Sequence, residues 1–484
     1  MTVKTISSLL PMMLVLCAGL DLHGADKPAP QPKPRPQALL LSEVLASVQG
    51  QYPPYLAALI EMDMANGRVR QALGSFDLNL NAGGTASLAG YYDGNTGYAM
   101  LEQPLPFWGG SVHGGYRLSS GYLPNYNKDR TGVDGETVIG FKIPLLRDGT
   151  IDRRRAALWQ AQIDQELADP IILRQYLDFI RAAGISYYTW VAAGQRLTLA
   201  EELLRVAKDR DNAIAEQVRK GASAPVVQID NRRLVVSREI AVVQAQRRLQ
   251  ATAIELSLFY RTRDTAEPII PARSRVPSTF PAHPRPDDAQ MTADIAKAAI
   301  FRPEIRRIEL LMEKTGIDRR LAKNNLLPSL DVGVEAGQFL GENRPKDLER
   351  NEVEAKIEFK LPLQRREAKG RMDMADATLA RLEQERLFTR DKISADVRDS
   401  YSALDAAFDT LRMTRLNVDL ARQLEQAETE RLKQGATDLL ALQIREQASF
   451  DARVLEVDAL AEYFRAQTNY RAAMAADAPR KVGR

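Results

Sequence analysis

The sequence predicts a mainly α-helical chain with a strand portion, in which long helical hairpins join an antiparallel sheet and the whole unit is used twice. Three observations carry this. Heptad seams run along stretches far longer than an ordinary helix, several segments alternate with period two, and a proline-dense stretch separates two halves that share one order of segments.

Residues 1–25 have the pattern of a secretory signal, with Lys4, an apolar stretch from Leu9 to Leu20, and small residues at Gly24 and Ala25 suited to cleavage. The mature chain is therefore expected to be exported. Cys17 lies inside the apolar stretch, and lipidation there would need a small residue just before it. Leu16 holds that place, so Cys17 reads as a signal-core cysteine rather than a lipid anchor. A tether at 26–38 follows, where alternate prolines between Lys27 and Pro36 hold an extended backbone.

The first unit, 39–266, opens with a helix entered at Tyr52-Pro53-Pro54-Tyr55-Leu56. A strand is expected next, with Phe76, Leu78, Leu80 and Ala82 on one face and Asp77, Asn79, Asn81 and Gly83 on the other. Residues 98–122 hold two more alternating segments joined by Pro106-Phe107-Trp108-Gly109-Gly110. They fit either an added hairpin in the same sheet or a loop elaboration. A returning strand puts Thr137, Ile139, Phe141 and Ile143 on one face and ends at Pro144-Leu145.

The stretch Ile151 to Arg219 would reach about 100 Å as a helix, with Asp169-Pro170 expected to kink or restart it. Its seam is Leu197, Ala200, Leu204, Ala207, Ile214 and Val218, interrupted by Asp211. A glycine turn, Gly221-Ala222-Ser223, then sends a second amphipathic helix back from about Val226 to Tyr260.

The linker at 267–290 holds six prolines, Pro268, Pro271, Pro277, Pro281, Pro284 and Pro286, and can be neither helix nor inner strand. The second unit, 291–474, repeats the order. It is entered at Phe301-Arg302-Pro303-Glu304-Ile305, and its first strand sets Leu330, Val332, Val334 and Ala336 against Asp331, Gly333, Glu335 and Gly337. The returning strand sets Val353, Ala355, Ile357, Phe359 and Leu361 against Glu352, Glu354, Lys356, Glu358 and Lys360, and ends at Pro362-Leu363. Its long helix carries Val397, Tyr401, Leu404, Phe408, Leu411 and Val418, interrupted by Arg415. The tip is Gly435-Ala436-Thr437-Asp438, the last helix runs from Leu439 to Met474, and 475–484 form a tail.

Composition narrows the function. Lys and Arg number 66 against 63 Asp and Glu, which is not the one-sided basic field of a nucleic-acid binder. A single cysteine excludes an intrachain disulfide and a thiolate metal site, and His23, His113 and His283 are scattered without partners at ligand spacing. No cofactor, metal or nucleotide is expected, and no nucleophile motif or phosphate loop points to an enzyme. No segment after the signal has the roughly 18 to 20 apolar residues of a spanning helix, so any crossing of a membrane must use strands.

The duplicated order, the strand to Pro-Leu to arginine passages (Pro144-Leu145-Leu146-Arg147-Asp148-Gly149 and Pro362-Leu363-Gln364-Arg365-Arg366) and the paired tips at Gly221 and Gly435 resemble the outer membrane efflux protein family, the TolC-like outer membrane factors. The resemblance spans about Leu39 to Met474. It implies a homotrimer whose strands share one β-barrel in the outer membrane of a Gram-negative-type bacterium and whose helices continue it as a periplasmic α-barrel. It also implies an exit duct working with a periplasmic adaptor (a membrane fusion protein) and an inner-membrane pump of RND or ABC type, in efflux or type I secretion. The bottom-up argument agrees: four to six strands cannot close a barrel, and open edges in lipid cost several kcal/mol per unpaired group, so copies must share a sheet of about twelve or about eighteen strands.

On this reading the charges of Glu352, Glu354, Lys356, Glu358 and Lys360 line the lumen, while Ile357 and Phe359 face lipid. The tips Gly221, Ala222, Ser223, Gly435, Ala436, Thr437 and Asp438 are the expected adaptor contacts. Family members often carry acidic residues just beyond the tip, at the tunnel mouth. Here Leu439, Leu440, Ala441 and Leu442 follow, leaving Asp438 and Asp230 as substitutes. The competing class is a trimeric coiled-coil stalk or adhesin without transport, which differs in having no conducting bore.

Overall fold

The structure, a computed structural model, describes residues 37–124, 130–342 and 350–479. The expected signal, nearly all of the tether, Cys17 and the end of the tail lie outside the described residues. Within Ala38–Arg484 the order is α1 (Leu41–Gln51), α2 (Pro53–Leu73), β1 (Asn79–Ala86), β2 (Asn95–Pro104), β3 (Ser111–Ser120), β4 (Glu136–Pro144), α3 (Arg153–Arg219) and α4 (Pro225–Ser257). After the proline-rich stretch come α5 (Asp288–Phe301), α6 (Pro303–Asn324), β5 (Ser329–Phe339), β6 (Glu352–Lys360), α7 (Arg366–Lys433) and α8 (Leu439–Ala473). Among the described residues no helix is long and apolar enough to cross a membrane.

α3 has 67 residues and α7 has 68, each about 100 Å long at 1.5 Å per residue. Most of the seam residues predicted for them are buried, Leu197, Ala200, Ala207 and Ile214 on α3, and Val397, Tyr401, Leu404, Leu411 and Val418 on α7, while Leu204, Val218 and Phe408 are half-buried. Their polar interruptions find polar partners. Asp211 accepts from Asn231 on α4 at 3.1 Å, and Arg415 pairs with Glu456 on α8 at 3.2 Å. α3 is not restarted at Asp169-Pro170 but runs unbroken through Pro170. Proline removes one intrahelical bond, and the buried Leu167, Ala168, Pro170 and Ile172 hold the turn in register against the core.

The long helices pack as neighbours in the order α4, α3, α8, α7. Trp190, Tyr463 and Phe464 are almost fully enclosed where α3 meets α8. The proline-rich stretch is bound to this core rather than loose. Phe280 stacks on Phe464 with ring centroids 5.5 Å apart, and Tyr463 donates to the Pro284 carbonyl at 2.6 Å.

Arg302 ties α6 to α7. Its buried guanidinium reaches Glu304 at 2.7 Å and Asp396 at 2.9 Å. Burial alone would raise the Glu304 carboxyl, but the Arg302 guanidinium outweighs it and holds the group below its ordinary value of 4.5. A depressed carboxylate contributes stability that is present above the ordinary value and lost as pH falls through the folded one, so this contribution fades below pH 4.5. Arg302→Ala is expected to cost about 3 kcal/mol, read as a lower denaturation midpoint at neutral pH, with the deficit shrinking in acid.

The six strands among the described residues form one antiparallel sheet in sequence order, β1-β2-β3-β4-β5-β6. Residues 98–122 thus supply an added hairpin of the sheet and not a loop elaboration. β4 pairs with β5, Ile139 opposite Ala336, which joins the first half of the chain to the second. Two strand boundaries differ from expectation: β6 ends at Lys360, one residue before Leu361, and β1 starts only at Asn79, leaving Asp77 and Leu78 before it and Phe76 in a 3-10 turn, Gly74–Phe76, that prolongs α2. Ser75 Oγ donates to the Ala72 carbonyl at 2.7 Å, and Gln103 Nε2 donates to the Phe76 carbonyl, so polar side chains satisfy backbone groups that a ladder would otherwise take.

Candidate functional site

Two regions of this fold have chemistry to offer, the faces of the sheet and the tips of the helical hairpins. Because side chains directly opposite one another in an antiparallel pair share a face, the register assigns every strand residue to a side. One side carries Leu80, Leu101, Val112, Leu118, Ile139, Phe141, Val353, Ile357 and Phe359, all exposed in the single chain. Ile139 is 65% exposed and Ile357 72%, values that a water-facing surface would not keep across a whole sheet.

The other side is polar. It carries seven carboxylates, Glu102, Glu136, Asp331, Glu335, Glu352, Glu354 and Glu358, against four cations, Arg117, Lys142, Lys356 and Lys360. The five charges predicted on β6 are therefore one column of a wider field. Sequence reasoning missed the centre of it, where Glu335 accepts from Arg117 at 2.8 Å and lies 3.0 Å from His113 Nε2, with Lys142 pairing Asp331 at 2.9 Å. The signal was present, since His113, Gly115 and Arg117 alternate along β3, but it shows as a cluster only when β3, β4 and β5 are adjacent.

The outermost strands, β1 and β6, each pair on one side only. The outermost long helices mirror them. α4 leaves Val226, Ile229, Val236, Ile240 and Val243 exposed at heptad spacing, and α7 leaves Met413, Leu416, Leu420 and Leu424 exposed.

The tips are built alike. Gly221 has φ +73° and Gly435 φ +70°, the left-handed conformation that closes a helix, and among the described residues, chain neighbours apart, no heavy atom lies within 4 Å of where a Cβ would sit on either. In the first tip the Gly221 N–H donates to the Val218 carbonyl at 3.0 Å and the Ala222 N–H to Gln217 at 2.8 Å. In the second the Gly435 N–H donates to Leu432 at 3.0 Å and the Ala436 N–H to Arg431 at 2.9 Å. Gly221, Ala222, Gly435, Ala436 and Asp438 are exposed, while Ser223 and Thr437 are half-buried.

Asp438 caps α8, its carboxylate accepting from the Ala441 N–H at 2.8 Å. Asp230 is paired with Arg233 at 3.3 Å on α4. Exposed apolar residues flank both tips, Val226 and Ile229 after the first and Leu440 and Ile444 after the second. Leu440 is among the residues read from the sequence after the second tip, whereas the exposed pair after the first tip was not foreseen.

Residues 295–476 match the family model described as outer membrane efflux protein. No curated protein matches the sequence. The fold is similar to the MtrE outer membrane channel of Neisseria gonorrhoeae in its open state, with a TM-score of 0.66 at 14% identity over 92% of this chain and 91% of that one. It is also similar to the outer membrane protein VceC of Vibrio cholerae, with a TM-score of 0.63 at 16% identity over 90% and 95% of the two chains. The CmeC outer membrane channel of Campylobacter jejuni gives 0.62 at 11% identity over 96% of both.

Proposed function

We propose, on the premise that residues 295–476 belong to the outer membrane efflux protein family, that the chain is the outer-membrane exit duct of a tripartite export system, with its helices in the periplasm. The observation that carries this reading is the sheet. It has one apolar face, one charged face and two open edges, an arrangement costly in water and costly in lipid unless neighbouring copies complete the ladder.

Three copies would give a barrel of about eighteen strands with an aqueous bore, the apolar face toward lipid and the charges toward water. The exposed seams of α4 and α7 would pair between subunits and continue the bore as a helical tunnel. The two halves of the chain, each helix, helix, strands, long helix and returning helix, read as an internal duplication that fills each wall twice.

The duct is passive, since its family is one of channels, and the energy comes from a pump partner. The tips at Gly221, Ala222, Ser223, Gly435, Ala436, Thr437 and Asp438, with their apolar flanks, would receive the adaptor, and Asp230 and Asp438 would sit near the tunnel mouth. Asp438 also caps α8 and Asp230 also pairs with Arg233, so each carboxylate has a partner within the chain.

Planar-bilayer recording of the purified protein tests the duct against the stalk. Stable ion conductance with cation preference is expected, the preference following from the excess of carboxylates on the polar face. A protein inserted in the bilayer without conductance would support a stalk instead.

A further inference from the structure

We propose that the cleft where the sheet passes into α3 and α7 binds the phosphate of a membrane lipid headgroup; this rests on the outer-membrane reading above. The cleft has a volume of about 710 Å³, and Arg147, Arg153, Arg154, Arg365, Arg366 and Arg371 line it. Three carboxylates line it too, and each is already engaged. Asp152 accepts from the N–H groups of Arg154 and Arg155 and pairs with the Arg155 guanidinium at 2.5 Å, Asp148 pairs with Arg147 at 3.4 Å, and Glu367 pairs with Arg371 at 2.8 Å.

Arg153, Arg154, Arg365 and Arg366 have no carboxylate at ion-pair distance among the described residues. Elsewhere on α7, Arg381, Arg386, Arg412 and Arg431 each pair with a carboxylate three or four residues away, and the arginines without an ion pair among the described residues, Arg390, Arg398 and Arg422, are spread along the helix rather than gathered at one cleft. Four uncompensated guanidiniums around one cleft repel one another, and an anion seated among them removes that repulsion while accepting forked hydrogen bonds. Arg153 and Arg366 are also the first residues of the two long helices, so the positive ends of both add to the same field.

Exposed apolar residues next in the chain to the lining point to a lipid rather than a free anion, Trp108 preceding the lining Gly109 and Leu363 following the lining Pro362. Phe107 and Trp108 at the β2–β3 turn, Leu145 after β4 and Leu363 after β6 are 64%, 61%, 52% and 81% exposed at this end of the sheet. The Leu145 N–H donates to the Leu330 carbonyl at 2.7 Å, which extends the ladder and keeps Leu145 on the apolar side. Exposed Trp and Leu beside arginines are what the boundary between acyl chains and phosphates requires. A soluble phosphate would have no use for them.

The test is native mass spectrometry of the full-length protein in detergent, titrated with dioleoyl phosphatidylglycerol, with dioleoylglycerol and inorganic phosphate as competitors. Arg365→Gly with Arg366→Gln removes two of the cations. Glycine suits the left-handed backbone of Arg365, φ +50°, so the fold is not expected to weaken. The double variant Arg153→Gln, Arg154→Gln removes the other two.

Each pair is expected to weaken phosphatidylglycerol binding about thirtyfold, while Arg381→Gln with Arg412→Gln leaves it unchanged. Dioleoylglycerol is expected not to compete. Unaltered binding in both cleft variants would overturn the proposal, and so would displacement by inorganic phosphate at the lipid's own concentration, which would mark a free-anion site. A protein that conducts normally but shows either result loses only the lipid site. One that binds lipid at these arginines without conducting loses only the duct.

Discussion

Ile357→Arg is expected to abolish assembly in the outer membrane, whereas Glu354→Arg, on the opposite face of the same strand, is expected to assemble and shift ion preference toward anions. Ile357 stands near the middle of β6 and is 72% exposed on the apolar face. An arginine at the midplane of the lipid face costs about 2–4 kcal/mol, and three copies in one barrel would bear it three times, enough to outweigh the stability of an ordinary fold. A charge exchanged on the polar face stays in water and costs little. The measurement is the fraction of each variant recovered as trimer from the outer-membrane fraction, with reversal potentials for the survivors. Equal recovery of both variants would show the faces to be assigned wrongly.

Gly221→Val combined with Gly435→Val is expected to stop export while trimers persist. A β-branched residue in the left-handed region costs about 1–2 kcal/mol at each tip. That is too little to unfold a trunk whose core, around Trp190, Tyr463 and Phe464, lies elsewhere on these helices. Among the described residues, chain neighbours apart, nothing lies within 4 Å of either new Cβ, so the added bulk meets no clash there and acts on whatever approaches from outside. Export assays beside trimer yield separate the two effects. Export at the original rate would remove the tips from the mechanism.

Much of the fold was legible because the physics that shapes it is local. Period two along Leu330 to Gly337 and Val353 to Leu361, the heptads around Leu404 and Leu197, and glycine at 221 and 435 each name an element without reference to the rest of the chain. The end of α2 was misread because Phe76 continues the alternation of β1 while Gly74–Phe76 still turn as helix, a competition settled by Ser75 and Gln103. That α3 continues through Pro170 without restarting was not legible, because the packing that offsets the lost bond is revealed by no single segment. The field around Glu335 and the arginine cleft were invisible for a related reason. Each draws on residues some 200 positions apart, His113 with Glu335 and Arg153 with Arg366, that only the pairing of β4 with β5 brings together.

Cysteine cross-linking between β1 and β6 is the most direct test of whether neighbouring chains complete one another's sheet. With Cys17 replaced by serine, one cysteine goes at Ala82 and a second at Val353, Ala355 or Ile357 in turn, all on the apolar face of the two outermost strands. Oxidation of membrane-embedded protein is expected to give, for at least one register, covalent dimers and a closed covalent trimer under denaturing conditions. Cross-links confined to single chains, or none in any register from a protein that stays monomeric without detergent, would contradict a barrel shared by three subunits.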